Sequence, residues 1–138
     1  MNRYLLDTTV VSELRKARPH GAVLAWINRL QADQIYLSAV TVGELQSGVA
    51  LTRRQDPAKA AEIELWIDQL AESAQVLPMD VPCFREWARL MEGKAEGLIE
   101  DVMIAATARI HRLTIATRNE RDFKQLGVQV LDPFKTPH

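Results

Sequence analysis

Short apolar runs bounded by polar residues alternate along this chain with stretches of helical period. The runs are Tyr4-Leu5-Leu6, Ile35-Tyr36-Leu37, Val76-Leu77, Thr114-Ile115-Ala116 and Val128-Gln129-Val130-Leu131. Runs this short, closed by polar residues, fit strands buried on both faces of a parallel sheet. Between them, Val23, Trp26, Ile27 and Leu30 recur at the spacing of one helix face. Ile63, Trp66, Ile67 and Leu70 repeat that spacing, as do Phe84, Trp87, Ala88 and Met91. Each set forms a stripe expected to face a core. The stretches Ala39 to Leu51 and Ile99 to Leu113 also read as helix. Strands that alternate with helices predict an α/β fold, a single domain over residues 1–138 with an about five-stranded parallel sheet sandwiched by helices. In open sheets of this kind, sites form at the carboxyl ends of the strands.

Composition narrows the class. The chain has 138 residues, 47% hydrophobic and 25% charged, which excludes long disorder, collagen-like repeats and coiled coil as the main architecture. A net charge of −1 excludes a uniformly basic nucleic-acid coat but leaves room for a local basic patch. The single cysteine, Cys83, rules out a disulfide framework within the chain and a zinc site built mainly from thiolates. No apolar run reaches the roughly 18 residues of a membrane span. The opening residues carry charge too early for a signal peptide. The expected location is the cytoplasm, with no membrane partner. His20, His111 and His138 share no metal-ligand spacing and read as surface or packing residues, with His111 favourably near a helix C-terminus.

The acids carry the chemistry. Asp7 directly follows the first strand, where an ordinary role is to cap the helix beginning at Thr8. Glu44 follows the second strand, one turn into a helix that Ser38 is placed to cap. Asp101 opens a helix on the same stripe as Ile104, Ala105 and Ala108, although a solvated acid belongs on the opposite face. Glu100 sits off that stripe and reads as first-turn charge. Asn119 and Asp122 follow the fourth strand and have the spacing of a capping pair. Each acid has a plain structural role. Together, however, they converge on one rim of one sheet, because the Asp101 helix runs back antiparallel to the strands. Crowded carboxylates repel, and a divalent cation resolves the conflict. An all-oxygen set suits Mg2+, with Mn2+ able to substitute, in preference to zinc.

No nucleotide-binding glycine loop occurs, and Ser12, Ser38 and Ser47 lack a histidine partner, which disfavours ATP use and serine hydrolysis. A carboxylate-held cation instead points to phosphate chemistry. Basic residues expected near the rim (Arg15, Lys16 and Arg18; Arg53 and Arg54; Arg118 and Arg121) suit a polyanionic substrate.

Four segments resemble the motifs of PIN-domain ribonucleases, in the same order: Leu5-Leu6-Asp7-Thr8-Thr9-Val10-Val11-Ser12-Glu13-Leu14, Ser38-Ala39-Val40-Thr41-Val42-Gly43-Glu44-Leu45, Asp101-Val102-Met103-Ile104-Ala105-Ala106-Thr107-Ala108 and Thr117-Arg118-Asn119-Glu120-Arg121-Asp122-Phe123. The likeness is nearest to VapC-type toxins of toxin–antitoxin pairs, in the FitB-like branch, and spans Tyr4 to about Phe134. The resemblance implies a metal-dependent endoribonuclease that acts on RNA and is blocked by a cognate antitoxin. It also implies a homodimer, with operator DNA bound only through the antitoxin complex. By position, Asp7 and Asp101 become the principal metal ligands, and Glu44 and Asp122 complete the acidic pocket, directly or through water. Asn119 orients the loop or a water. Thr9 stands where the family usually has Asn; its hydroxyl can still bond a neighbouring carboxylate. Whether one or two ions act stays open.

Two rivals remain at this stage. Asp7-Thr8-Thr9-Val10 after an apolar strand also looks like a haloacid-dehalogenase-type phosphatase with Asp7 as nucleophile, although Glu100-Asp101 opens a helix where that family's second acid pair follows a strand. The other rival is a PIN-like scaffold that forms complexes without cleaving.

Overall fold

The computed structural model describes residues 2–137, so His138 lies outside the described residues. Five strands form one sheet: β1 (Tyr4–Leu6), β2 (Ile35–Ser38), β3 (Gln75–Leu77), β4 (Thr114–Ala116) and β5 (Val130–Leu131). Their order is β3-β2-β1-β4-β5 and every pairing is parallel. The α/β expectation therefore holds, strand by strand. The chain builds outward from β1 to β2 and β3, then crosses back to place β4 on β1's other side. The loops leaving β1 and β4 consequently diverge, which opens a crevice at their carboxyl ends.

Alternation along the strands assigns the two faces. Leu5 and Ile115, both fully buried, face one layer with α5 (Val81–Met91), α6 (Ile99–His111) and α7 (Glu120–Lys124). Tyr4, Leu6, Leu37 and Ala116 face the other, where they pack with Val10 and Val11 of α1 (Thr8–Arg15) and Val23 and Trp26 of α2 (Gly21–Asn28). The Tyr4 and Trp26 rings meet edge to face at 5.0 Å.

A third cluster, Val49, Ala60 and Ile67, zips α3 (Ala39–Gln55) to α4 (Pro57–Ser73). Asp56 alone joins these helices: it accepts from the Lys59 N–H as the N-cap of α4, and Pro57 follows at the first helical position. Helix α3 runs to Gln55, four residues beyond the Leu51 read from pattern, and its last turn is largely exposed and polar, so no apolar stripe marks it in the sequence.

Two expectations change. The Phe84-Trp87-Ala88-Met91 stripe does not wholly face the core. Phe84 is 44% exposed, while Cys83 and Glu86 of the same helix are buried. Glu86 is accommodated because Arg109 and Arg89 donate to its two oxygens. Arg109 also donates to the Gly127 carbonyl, tying α5, α6 and the turn before β5 together. The basic residues also spread out more than expected. Arg15 ends α1, and Arg53 and Arg54 end α3. At 1.5 Å per residue, Arg53 lies about 14 Å along its helix from Glu44. Lys16 pairs with Glu13, and Arg53 with Glu64.

Ile115→Ala, in the central layer, is expected to cost about 2–5 kcal/mol. Phe84→Ala should cost under about 1 kcal/mol. Urea unfolding monitored by circular dichroism reads both. Equal losses would contradict the orientation of α5.

Candidate active site

Asp7 follows β1 at the crevice, where its side chain is 4% exposed. Its backbone N–H continues the sheet ladder to the Ala116 carbonyl at 2.9 Å. One carboxylate oxygen, Oδ1, accepts from the Thr8 N–H at 2.7 Å, so Asp7 is indeed the N-cap of α1. The other, Oδ2, accepts from Thr9 Oγ1 at 3.0 Å and Thr117 Oγ1 at 2.8 Å. Capping and site duty thus coincide in one residue. Thr9 Oγ1 in turn accepts from the Arg118 N–H at 3.4 Å, linking the turn after β1 to the loop after β4.

Ser38 caps α3 as expected, accepting from the Val40 N–H at 3.0 Å. Helix α3 then carries Glu44, half-buried, toward Asp7. Thr8 Oγ1 donates to Glu44 Oε1 at 2.7 Å and lies 3.2 Å from the buried Thr41 hydroxyl. Burial pushes the Glu44 carboxyl up, against the Thr8 hydrogen bond, with repulsion from Asp7 and Glu100 adding to it.

Asp101 lies in the first turn of α6. Burial, followed by repulsion from Asp7, Glu44, Asp122 and Glu100 in that order, raises its carboxyl to about 6. A helix N-terminus favours a carboxylate by only about 0.3–1 kcal/mol, and here that is outweighed. The three other acids of the rim all act on Asp101, so they share one electrostatic neighbourhood. They do not close into one tight cluster, however. Among the described residues, no three of these carboxylates bring oxygens within 4.8 Å of one another. Asp122, on α7, is exposed.

The capping pair expected at Asn119 and Asp122 is corrected. Asn119 occupies the N-cap position of α7 without a side-chain capping bond. The Thr117 hydroxyl takes over part of that role and accepts from the Asn119 N–H at 2.9 Å. Beside this loop lies an open groove of about 870 Å³, lined by Arg118, Asn119, Arg121, Asp122 and Lys135 among others. Arg118 stacks on Phe134, its guanidinium 4.0 Å from the ring centroid.

Two hydroxyls escaped the sequence reading: Thr8, which holds Glu44, and Thr117, which holds Asp7. The available signal was a threonine within a residue or two of a strand's carboxyl end. Of the expected basic groups, Arg118 and Arg121 line the groove and the others do not.

Residues 4–129 match the PIN domain, and the chain belongs to the PIN-domain family. It is 38% identical over 136 residues to the VapC ribonuclease Y4jK of Sinorhizobium fredii, covering 95% of this chain and 97% of that one. It is 37% identical to the toxin FitB of Neisseria gonorrhoeae over 94% of this chain and 97% of that protein. Among solved structures, it superposes with a TM-score of 0.83 on a chain of FitAB bound to an IR36 DNA fragment, at 34% identity and 98% coverage of each. The FitAcB complex of Neisseria gonorrhoeae gives a TM-score of 0.78 at 35% identity, with 96% of this chain and 99% of that one covered.

A folded-state carboxyl raised to about 6 from 3.8 binds protons that the unfolded chain releases, so its stabilising effect is present at low pH and lost as pH rises through that window. In chelator, therefore, the protein should lose stability between pH 4 and pH 6 through this group. Asp101→Asn should flatten that loss and raise the melting temperature at pH 7.5 by about 2–6 °C. Thermal scans in EDTA at both pH values decide it. A variant that melts lower at pH 7.5 would contradict the repulsion.

Proposed function

We propose that this chain is a metal-dependent endoribonuclease toxin of a toxin–antitoxin pair that hydrolyses RNA phosphodiester bonds at the rim bearing Asp7, Glu44, Asp101 and Asp122. The observation that carries the reading is Asp101, whose carboxyl is raised to about 6 by burial and by the other three acids. A fold that keeps mutually repelling acids in one crevice, against its own stability, suits a cation. The donors are oxygens only, which fits Mg2+ or Mn2+. Asp7 and Asp101 are the residues proposed to hold the ion, with Glu44 and Asp122 completing the acidic wall. When bound, such an ion polarises phosphoryl oxygens and lowers the pKa of water.

The chain's own residues supply position. Three donors fix the Asp7 carboxylate, so it meets its ligand in one orientation. Thr8 fixes Glu44 through Oε1, and the carboxylate so held is proposed to accept a proton from water. Thr9 supports Asp7 where the family usually has Asn, and Asn119, free of capping duty, is proposed to orient the substrate or a water. Arg118 and Arg121 offer cations to the RNA backbone beside Asp122. The phosphatase alternative is weaker: both Asp7 oxygens are engaged in a nearly closed site, which leaves a poor nucleophile. A non-cleaving scaffold would have no use for the strained Asp101.

The same reading places the chain in the cytoplasm as a homodimer. A cognate antitoxin blocks it, and operator DNA is bound only through that complex. No helix among the described residues is long and apolar enough to cross a membrane. Leu51 and Leu65, 64% and 59% exposed on the α3–α4 hairpin, offer apolar surface to a protein partner.

Purified protein should cut single-stranded RNA with Mg2+ and not with EDTA, and Asp7→Asn should slow cleavage at least about 100-fold. Equal cleavage by the variant would reject the site. Thr9→Val should lower the rate about 10–100-fold, and Thr9→Ser should restore most of it. If Thr9→Val cleaves at the parental rate, its hydroxyl plays no part.

A further inference from the structure

At the far end of α6 from Asp101, a second group of ligating side chains has chemistry unlike that of the rim. Asp80, Cys83 and His111 each present one ligating atom, and all three atoms lie within 4.8 Å of one another. It is the one such trio among the described residues. Ten residues of helix separate Asp101 from His111, about 15 Å, so this trio is not part of the acidic crevice.

The trio arises from local structure. Asp80 is the N-cap of α5, accepting from the Cys83 N–H at 3.2 Å, and this sets Asp80 and Cys83 one turn apart on one face. Helix α6 packs antiparallel on α5 and ends at His111, where Arg112 adopts the left-handed conformation at φ 56°. The three residues grade from the surface inward: Asp80 is exposed, His111 half-buried and Cys83 fully buried. An ion would enter past Asp80.

A second observation points to a ligand. His111 Nε2 is buried with no hydrogen-bond partner; Trp87 Nε1 shares that state, but only His111 sits among other ligating groups. An orphaned polar atom of this kind costs about 1–3 kcal/mol, and native structures rarely keep one for nothing. Burial, followed by the neighbouring Asp80 carboxylate, pushes the Cys83 thiol up, so a cation bound here takes the place of the thiol proton.

We propose that Asp80, Cys83 and His111 bind a thiolate-preferring divalent cation of the zinc class, with a water in the fourth position. Tetrahedral zinc with these ligands sets donor atoms about 3.3–3.8 Å apart, so atoms already within 4.8 Å of one another need at most about 1.5 Å of adjustment, within the reach of side-chain rotation. On binding, Cys83 loses its proton to solvent. The carboxylate and thiolate then balance the dication, and no net charge is left half-buried. The ion pins the start of α5 to the end of α6. Thiolate and imidazole select against Mg2+, and the all-oxygen rim selects for it, so the two sites sort their metals by donor type. The proposal does not depend on the nuclease reading.

Cobalt(II) is the probe. It is titrated into the chain carrying Asp101→Asn, which weakens cation binding at the rim. Cys83 is the only cysteine, so a sulfur-to-cobalt charge-transfer band identifies it directly. The expected result is such a band, with intense tetrahedral d–d absorption, saturating at one equivalent per chain and displaced by zinc. Cys83→Ser should abolish the band, and His111→Gln should weaken cobalt affinity more than about tenfold. No band in excess cobalt overturns the proposal, as does a band unchanged in His111→Gln or one saturating at half an equivalent. Should Cys83→Ser fail to fold, X-ray absorption at the zinc edge of the zinc-loaded protein decides. One sulfur with nitrogen and oxygen neighbours supports the site, and nitrogen and oxygen alone reject it.

Discussion

The tether of Asp7 across the top of β1 and β4 is the constraint on which the rest of the site depends. Three hydroxyl or amide donors, from Thr8, Thr9 and Thr117, converge on one buried carboxylate. An acid this enclosed is tolerable only because its oxygens are paired. The pairing also does geometric work, since Thr117 comes from a strand more than a hundred residues away in sequence. The sheet must be correctly assembled, β4 against β1, before the site's central group has a fixed orientation. The topological switch between these strands makes the crevice, and the hydrogen bond aims the acid into it.

Around that fixed point the fold stores repulsion. Glu44 and Asp101 arrive from helices that begin at the same rim, and both carboxyls are pushed up by burial before any neighbour is counted. Two apolar layers with residues such as Leu5, Ile115, Val10 and Val102 fully buried supply the stability against which this arrangement is held. The acids share the rim without closing into one tight cluster, and their charges repel across it. Folding energy and site chemistry are opposed here, and the opposition is local to the rim.

Much of this was legible in the residue order. The strands were marked by short apolar runs, and Asp7, Glu44 and Asp101 by their position after strands or at a helix start. The four motifs also matched the family that the comparisons show. Other features depend on partners remote in sequence, and pattern could not give them. The burial of Glu86 rests on Arg109, which reaches it from another helix. Phe84 reads as core because periodicity marks a face without saying how far round the neighbouring helix reaches. Asn119 has the composition of a cap, yet the Thr117 hydroxyl already occupies part of that role. Sequence order places basic residues after the same strands as the acids, but the length of a helix carries some of them away from the rim. Arg53 belongs to the remote end of α3.

Helix α6 gives the molecule its polarity. Its first turn carries Asp101 among oxygens, and its last carries His111 beside the thiol of Cys83. Between them, Val102, Ile104, Ala105, Ala106 and Ala108 are buried almost completely, so the helix is clamped along its length and cannot shift one end alone. A change that fixes the His111 end against α5 therefore limits the freedom of the Asp101 end. Because packed helices move as bodies, any such coupling would run through the α5–α6 interface, without a chain of polar contacts. The Glu86–Arg109 pair joins the middle of α5 to the last turn of α6 and already locks the two helices in register. An ion at Asp80, Cys83 and His111 would add a second fastening to the same joint, so its effect should appear chiefly as rigidity of the helix pair, with the electrostatics of the acidic rim left unchanged.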